Sequence, residues 1–209
     1  MRGNGFIKKS AKVLAIKLGL KKSLKSWREE LVKRGLNIGD NVLLSAGVII
    51  DENYPYLVSI GDNCKIASGV RILTHDSTLF DYNGGYMKIA RVDIKENCII
   101  GVNSIILPGV TIGPNVLVAA GSVVNKDIPP NTCVAGNPAR FYSKFDILVE
   151  NMKKDIHIRP KLKSLDYIDQ NTETSNRKKV LRLATKEGNA YIDSVESRNT
   201  AALDIKNIK

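Results

Sequence analysis

The chain has 209 residues, 43% of them hydrophobic and only 6% aromatic, and a formal net charge of +11. That is enough apolar material for one domain with appendages, and the low aromatic content suits a narrow core of aliphatic side chains. No apolar run reaches the about 18 residues of a membrane-spanning helix, and the N-terminus lacks the apolar stretch and cleavage site of a signal peptide, which predicts a cytoplasmic protein.

The charge is unevenly spread. Residues 1–34 carry eleven Lys/Arg against two Asp/Glu, a balance of +9, whereas residues 35–140 come to −2 and the remainder to +4. An argument for an anionic partner therefore belongs to the ends. Residues 5–34 read as helix, with Ile7, Val13, Leu14, Ile16, Leu20, Leu24, Trp27 and Leu31 at helical spacing, a break near Gly19 and Gly35 as the stop. Two readings stay open: an element that packs on the first coils or on a neighbouring subunit, and a Lys-rich helix in peripheral contact with the anionic inner face of a membrane. Nucleic acid is not expected, because no recognised binding motif accompanies the charge.

A repeat begins at Ile38 with IGDNVL and runs to about Ile50. The segment DENYPYLVS (51–59) interrupts it and is expected to bulge. Register resumes with IGDNCK, IASGVR and ILTHDS. A second, longer interruption covers 78–93, with Gly84-Gly85 as a turn. Long loops on a repeat scaffold are often functional, because the scaffold does not need them. Residues 94–123 then read in unbroken sixes: IKENCI, IGVNSI, ILPGVT, IGPNVL, VAAGSV. Each opens with Ile or Val, and its fifth place holds Cys98, Ser104, Val110, Val116 or Ser122. A period of six matches neither a helix nor a two-residue alternation; it is the signature of a parallel β-helix, three sixes to a triangular coil. The opening aliphatic and the small fifth residue point inward, while Gly and Asn suit corners that need positive φ. The fold class is thus all-β, a parallel β-helix with an N-terminal α-helical segment and a C-terminal extension. Pro129-Pro130 is expected to end the coiling. The expected boundaries are 1–36 for the basic helical segment, 37–142 for the repeat domain and 143–209 for the extension. In the extension FDILVENMKKDI suits a short helix and VLRLATKEGNAYIDSV a weaker segment; ordered arm, partner-binding tail and disorder all remain open for 160–209. Cys64 and Cys98 stand where Val42 and Val116 stand in other blocks, so the three cysteines read as buried fillers rather than disulfide, metal or nucleophile.

IGDNCKIASGVRILTHDS, IILPGVTIGPNVLVAAGSVVNKDIPPN and VAGNPARF together resemble the hexapeptide-repeat, left-handed β-helix acetyltransferases. The resemblance is closest to the galactoside and maltose acetyltransferases and the capsule or exopolysaccharide O-acetyltransferases. It covers residues 38 to about 142. It implies the left hand of the coil, a homotrimer with three sites between subunits, acetyl-CoA as co-substrate without a metal, and a saccharide acceptor.

Acyl transfer from a thioester to a hydroxyl needs a base active near neutral pH, and His is the natural choice. The chain has two histidines. His157 lies beyond the repeat; His75, in ILTHDS before the long loop, matches the family's catalytic histidine. A carbonyl or carboxylate is expected on its second nitrogen; Asp76 is adjacent, but neighbours on extended chain point to opposite faces. Acceptor contacts are expected from Ser45, Asp76, Tyr82 and Tyr86. Ser45 stands where the family often has Asn, and Ile99 where it often has an aromatic. By the resemblance, coenzyme A is held at Gly101, Val102, Ala120, Asn125, Lys126 and Arg140; Gly101, Ala119 and Ala120 admit a pantetheine arm, and Lys126 and Arg140 pair with phosphates. Two histidines are too few for a carbonic anhydrase-like zinc site. The acceptor stays open among a capsular or exopolysaccharide unit, a small sugar and an antibiotic; the other alternative is a non-catalytic scaffold or membrane-docking β-helix, which would need neither His75 nor the 78–93 loop.

Overall fold

The computed structural model describes residues 24–159, 161–163, 185–186 and 191–193. The helix expected over 5–23, with its break near Gly19, lies outside the described residues. The chain divides after Tyr142 into two compact units.

The first unit starts with helix α1 (Leu24–Lys33). Trp27 and Leu31, four residues apart on one face, meet the core. The helix ends in a left-handed glycine cap. Gly35 has φ +98° and its N–H donates to Val32 O, while Leu36 N donates to Leu31 O at 2.9 Å. Both partners of that last bond are buried, the apolar contact that accompanies such a cap.

Short parallel strands then wind into a three-faced prism. The first face stacks Asn37–Ile38, Val58–Ile60, Val92–Ile94 and Thr111–Ile112. The second stacks Leu43–Leu44, Lys65–Ile66, Ile99–Ile100, Leu117–Val118, Thr132–Ala135 and the outermost Arg140–Lys144. The third stacks Ile49–Ile50, Arg71–Ile72, Ile105–Ile106 and Val123–Val124. The opening aliphatics pair in register, Ile94 with Ile112, Ile100 with Val118 and Ile106 with Val124, and all are buried. Each buried Ile or Val contributes about 1.5–3 kcal/mol by leaving water.

The fifth place is buried in every clean block, and the structure gives a reason for its polar members. Cys64 Sγ donates to Lys95 O (3.0 Å), Cys98 Sγ to Gly113 O (3.1 Å) and Ser104 Oγ to Ala119 O (2.9 Å). Each acceptor is the second-place carbonyl of the next coil, so a short X–H side chain satisfies a carbonyl inside the prism. Positive φ belongs to the fourth place, at Asn97, Asn103, Gly109, Asn115 and Gly121. The second-place glycines are needed for closeness instead: a Cβ on Gly101 would lie 2.5 Å from Ala120 N and 2.8 Å from Ala119 C.

Two expectations are corrected. The coil does not end at Pro129-Pro130. Ile128 bridges Ile112, Asn131 takes positive φ, Thr132 is buried, and Val134 pairs with Val118. IPPNTC is therefore a further six, which prolines at an exposed corner do not disrupt. The interruption at 51–59 does not simply bulge either. Asp51 and Pro55 are buried, a 3-10 turn spans Pro55–Leu57, and the first-face strand resumes at Val58. Ile50 meets Ile72 twenty-two residues on, and Ile72 meets Ile106 thirty-four on, so the interruptions absorb four and sixteen residues without loss of register.

The second unit opens with helix α2 (Phe145–Ile158), over the stretch read as a short helix, and contains a parallel pair of strands, Lys161–Lys163 with Tyr191–Asp193. Most of residues 160–209 lies outside the described residues.

Candidate active site

His75 leaves the third face just as the chain departs into the long loop. The strand His75–Asp76 pairs antiparallel with Lys88–Ile89, and Ala90 N donates to Thr74 O at 2.8 Å, so both ends of the loop are tied beside the imidazole. The ring is partly exposed, its side chain 29% accessible.

Asp51, from one coil below, meets His75 Nδ1 through Oδ2. Asp51 is 5% exposed. The same Oδ2 accepts Thr74 N at 3.1 Å and Thr74 Oγ1 at 2.7 Å, and Oδ1 accepts Asn53 N at 3.1 Å. Burial pushes the Asp51 carboxyl up, but the hydrogen bonds from Thr74 and His75 outweigh it and hold it below the usual carboxylate range. An ionised carboxylate only accepts, so in the neutral imidazole it is Nδ1 that carries the proton and Nε2 that holds the lone pair. The ring of Tyr54 packs edge-on against the imidazole, centroids 5.7 Å apart at 74°.

The partner of the second nitrogen is therefore Asp51, not Asp76. Asp76 is exposed and accepts Thr78 N at 2.8 Å, and hydrogen bonding from the Thr78 side chain, then from its backbone, holds the Asp76 carboxyl below the usual range. Strand alternation turns it away from the face His75 uses. Asp51 and Tyr54 were missed by reading the sequence in sixes, because both stand in the interruption. Spacing alone held little signal for them: Ile50 pairs with Ile72, which sets Asp51 level with Leu73, and its reach to Thr74 and His75 comes from the folded turn.

The other expected residues fall in several places. Tyr82 is 89% and Tyr86 75% exposed in the long loop, so neither packs on His75. Ser45, Gly101, Val102 and Ala120 lie at the corner between the second and third faces. There Ser45 N donates to Ile66 O, Gly101 N to Val118 O and Gly121 N to Val102 O. The bonds that join the coils at that corner use the amides of Gly101, Asn103, Ala119 and Gly121 and not those of Val102 and Ala120. Asn125 and Lys126 are exposed at the next corner, the one from which His75 emerges, after Val123–Val124. Arg140 is exposed at the start of the outermost second-face strand, its Nη1 donating to Ala139 O at 3.0 Å. One chain thus separates Ser45, Gly101, Val102 and Ala120 from His75 by the width of a face, roughly 15 Å at the rise of extended chain. Among the described residues no group of His, Cys, Asp and Glu is arranged to hold a metal ion.

Family profiles match this frame: "Bacterial transferase hexapeptide (six repeats)" over residues 91–126, and "Hexapeptide repeat of succinyl-transferase" over 31–52 and 58–73. Protein CapG of Staphylococcus aureus is 37% identical over 129 residues, 59% of this chain and 75% of that protein. The "Putative acetyltransferase YvoF" of Bacillus subtilis is 33% identical over 131 residues, 63% of this chain and 73% of that protein. The chain belongs to the hexapeptide-repeat acetyltransferases. Its coil is accordingly the left-handed β-helix of that family, against the usual right-handed rule for parallel crossovers. The galactoside O-acetyltransferase of Escherichia coli is 38% identical over 107 residues, 50% of this chain and 52% of that enzyme. Among solved structures, the hexapeptide-repeat acetyltransferase VCA0836 of Vibrio cholerae, complexed with acetyl coenzyme A, is 25% identical over 68% of this chain and 91% of that one, with a TM-score of 0.47.

Proposed function

We propose that this protein transfers an acetyl group from acetyl-CoA to a saccharide hydroxyl, with His75 as general base and Asp51 as the residue that positions it. The observation that carries this reading is the buried Asp51 carboxylate on His75 Nδ1, which leaves Nε2 as the base. The acceptor hydroxyl gives its proton to Nε2 while its oxygen bonds to the thioester carbonyl carbon. The tetrahedral intermediate collapses by C–S cleavage, and the imidazolium returns the proton to the departing thiolate. No acetyl-enzyme forms: the Cys98 thiol is pushed well up by the neighbouring Cys64 side chain and by burial, and is no nucleophile.

In this reading Gly101, Val102 and Ala120 line the pantetheine arm, and Asn125, Lys126 and Arg140 lie toward the phosphates. The separation of Gly101, Val102 and Ala120 from His75 within one chain supports a homotrimer in which two copies build each site. The likeness to a galactoside O-acetyltransferase supports a saccharide acceptor, with Ser45, Asp76, Tyr82 and Tyr86 as its candidate contacts. A capsular or exopolysaccharide unit assembled at the inner face of a membrane is the finer reading. It is supported by the sequence resemblance and by the +9 balance of residues 1–34. Among the described residues no helix is long and apolar enough to cross a membrane. A non-catalytic scaffold would have no use for a buried carboxylate aimed at His75.

The test is His75→Ala, followed by thiol release from acetyl-CoA with a panel of saccharides. Loss of a general base costs about 10²- to 10⁴-fold. Near-wild-type turnover by a folded trimer refutes the base assignment, and an acetyl group trapped on Cys98 or Ser45 refutes direct attack.

A further inference from the structure

The contacts of helix α1 converge on the segment 51–56, whose Asp51 and Tyr54 meet His75. Arg34 Nη2 donates to the backbone carbonyl of Glu52, and Trp27 Nε1 donates to Glu52 Oε1 at 3.3 Å. At the end of the helix Gly35 sits against Tyr56, where an added Cβ would lie 2.8 Å from the Tyr56 Cβ. Glu52 directly follows Asp51, and Tyr54 packs edge-on between Tyr56 and His75, its ring centroid 6.2 Å from that of Tyr56 and 5.7 Å from that of His75. The helix itself is anchored, since Leu31 is buried, Trp27 packs on the core and Arg28 Nη1 reaches Val42 O at 3.4 Å. A surface interruption of an otherwise regular coil is thereby gripped at Glu52 and Tyr56, on either side of Tyr54.

We infer that helix α1 is a clamp for the active site, with Trp27, Arg34 and Glu52 as positioning residues that hold Asp51 and Tyr54 against His75. The inference rests on the reading of His75 as the base. The cause is geometric. Asp51 is fixed from the coil side by Thr74, but the turn that carries it continues into exposed chain at Glu52 and Asn53. Apart from the helix, Asp51 is held by its own N–H on Ile72 O, by the two Thr74 bonds and by Asn53 N, and of these only the Asn53 bond fixes the outer side of the turn. A shift of around 1 Å at such a group can cost up to about 100-fold in rate. The basic residues Arg28 and Arg34, part of the +9 balance of residues 1–34, donate hydrogen bonds to this chain's own carbonyls.

The experiment compares Glu52→Ala, Glu52→Gln, Trp27→Phe and Arg34→Met in the full chain. The chain has only two histidines, so 15N spectra of the imidazoles, assigned with His157→Gln, report the His75 tautomer directly. The expected result is a single Nδ1–H tautomer in the wild type and a mixture of tautomers in Trp27→Phe, Arg34→Met and Glu52→Ala. Turnover should fall between about 3- and 100-fold, with the KM for acetyl-CoA and the oligomeric mass unchanged. Glu52→Gln keeps an acceptor for Trp27 and should restore both tautomer and rate. An unchanged tautomer and rate in Glu52→Ala and Trp27→Phe overturns the clamp. If Arg34→Met fails to fold, the Glu52 pair decides. Should His75→Ala keep full turnover, the functional reading fails, while the tautomer spectra still decide the clamp.

Discussion

Replacing Asp51 separates positioning from charge. Three donors converge on Oδ2, namely Thr74 N, Thr74 Oγ1 and His75 Nδ1, whereas Oδ1 receives only Asn53 N. In Asp51→Asn the side chain will therefore turn its carbonyl toward the three donors and leave its NH₂ facing the Asn53 N–H. His75 keeps an acceptor on Nδ1, but a neutral one. A hydrogen bond to a charged group contributes about 1.5–3 kcal/mol and a neutral one about 0.5–1.5, so the imidazolium of the transition state loses about 1–1.5 kcal/mol, roughly five- to tenfold in turnover. Asp51→Ala removes orientation altogether and should approach the His75→Ala loss of about 10²- to 10⁴-fold. Stability also carries a signature. The folded Asp51 carboxyl lies below its usual range, so its contribution is present above the unfolded value near 3.9 and disappears as pH falls through the lower folded value. The difference in Tm between wild type and Asp51→Asn should be full near pH 7 and shrink below about pH 4. The assays are thiol release at saturating acetyl-CoA and melting curves across that pH range. A folded Asp51→Ala with wild-type turnover refutes the reasoning, as does a Tm difference that grows toward acid.

Lys126→Ala and Arg140→Ala should raise the KM for acetyl-CoA and leave kcat nearly unchanged, because ground and transition states hold the phosphates alike; a change confined to the acceptor KM argues against that placement. Gly101→Ala forces a methyl against the backbone of residues 118–120 and should cost about 1–3 kcal/mol, read as a lower Tm. Gly121→Asn should be nearly neutral, since nothing lies within 4 Å of its Cβ position and Asn occupies the same left-handed place at Asn103. Full-length protein should sediment with anionic but not neutral vesicles at low salt, and release as the Debye length falls from about 10 Å at 0.1 M to about 3 Å at 1 M; failure to sediment at low salt assigns residues 1–34 to packing alone.

The sequence by itself determined the coil. A six-residue period with aliphatics in the first place and Asn or Gly in the fourth has one solution, because only a triangular turn buries the first and fifth side chains and places left-handed residues at each corner. Gly35 announced the end of α1 for the same local reason. His75 was legible as one of two histidines, set where the repeat breaks. Tertiary structure decided what lies across the coils. Asp51 reaches His75 only because four inserted residues shift the stacking interval to twenty-two, and a spacing of six cannot reveal which interruption turns inward. It also decided that Pro129-Pro130 sits at an exposed corner of a continuing coil, that Gly101 is glycine for lack of space, and that Trp27 and Arg34 reach Glu52. Periodicity records what each residue does within its own turn. Contacts between distant turns depend on the summed lengths of the interruptions, which only the folded chain adds up.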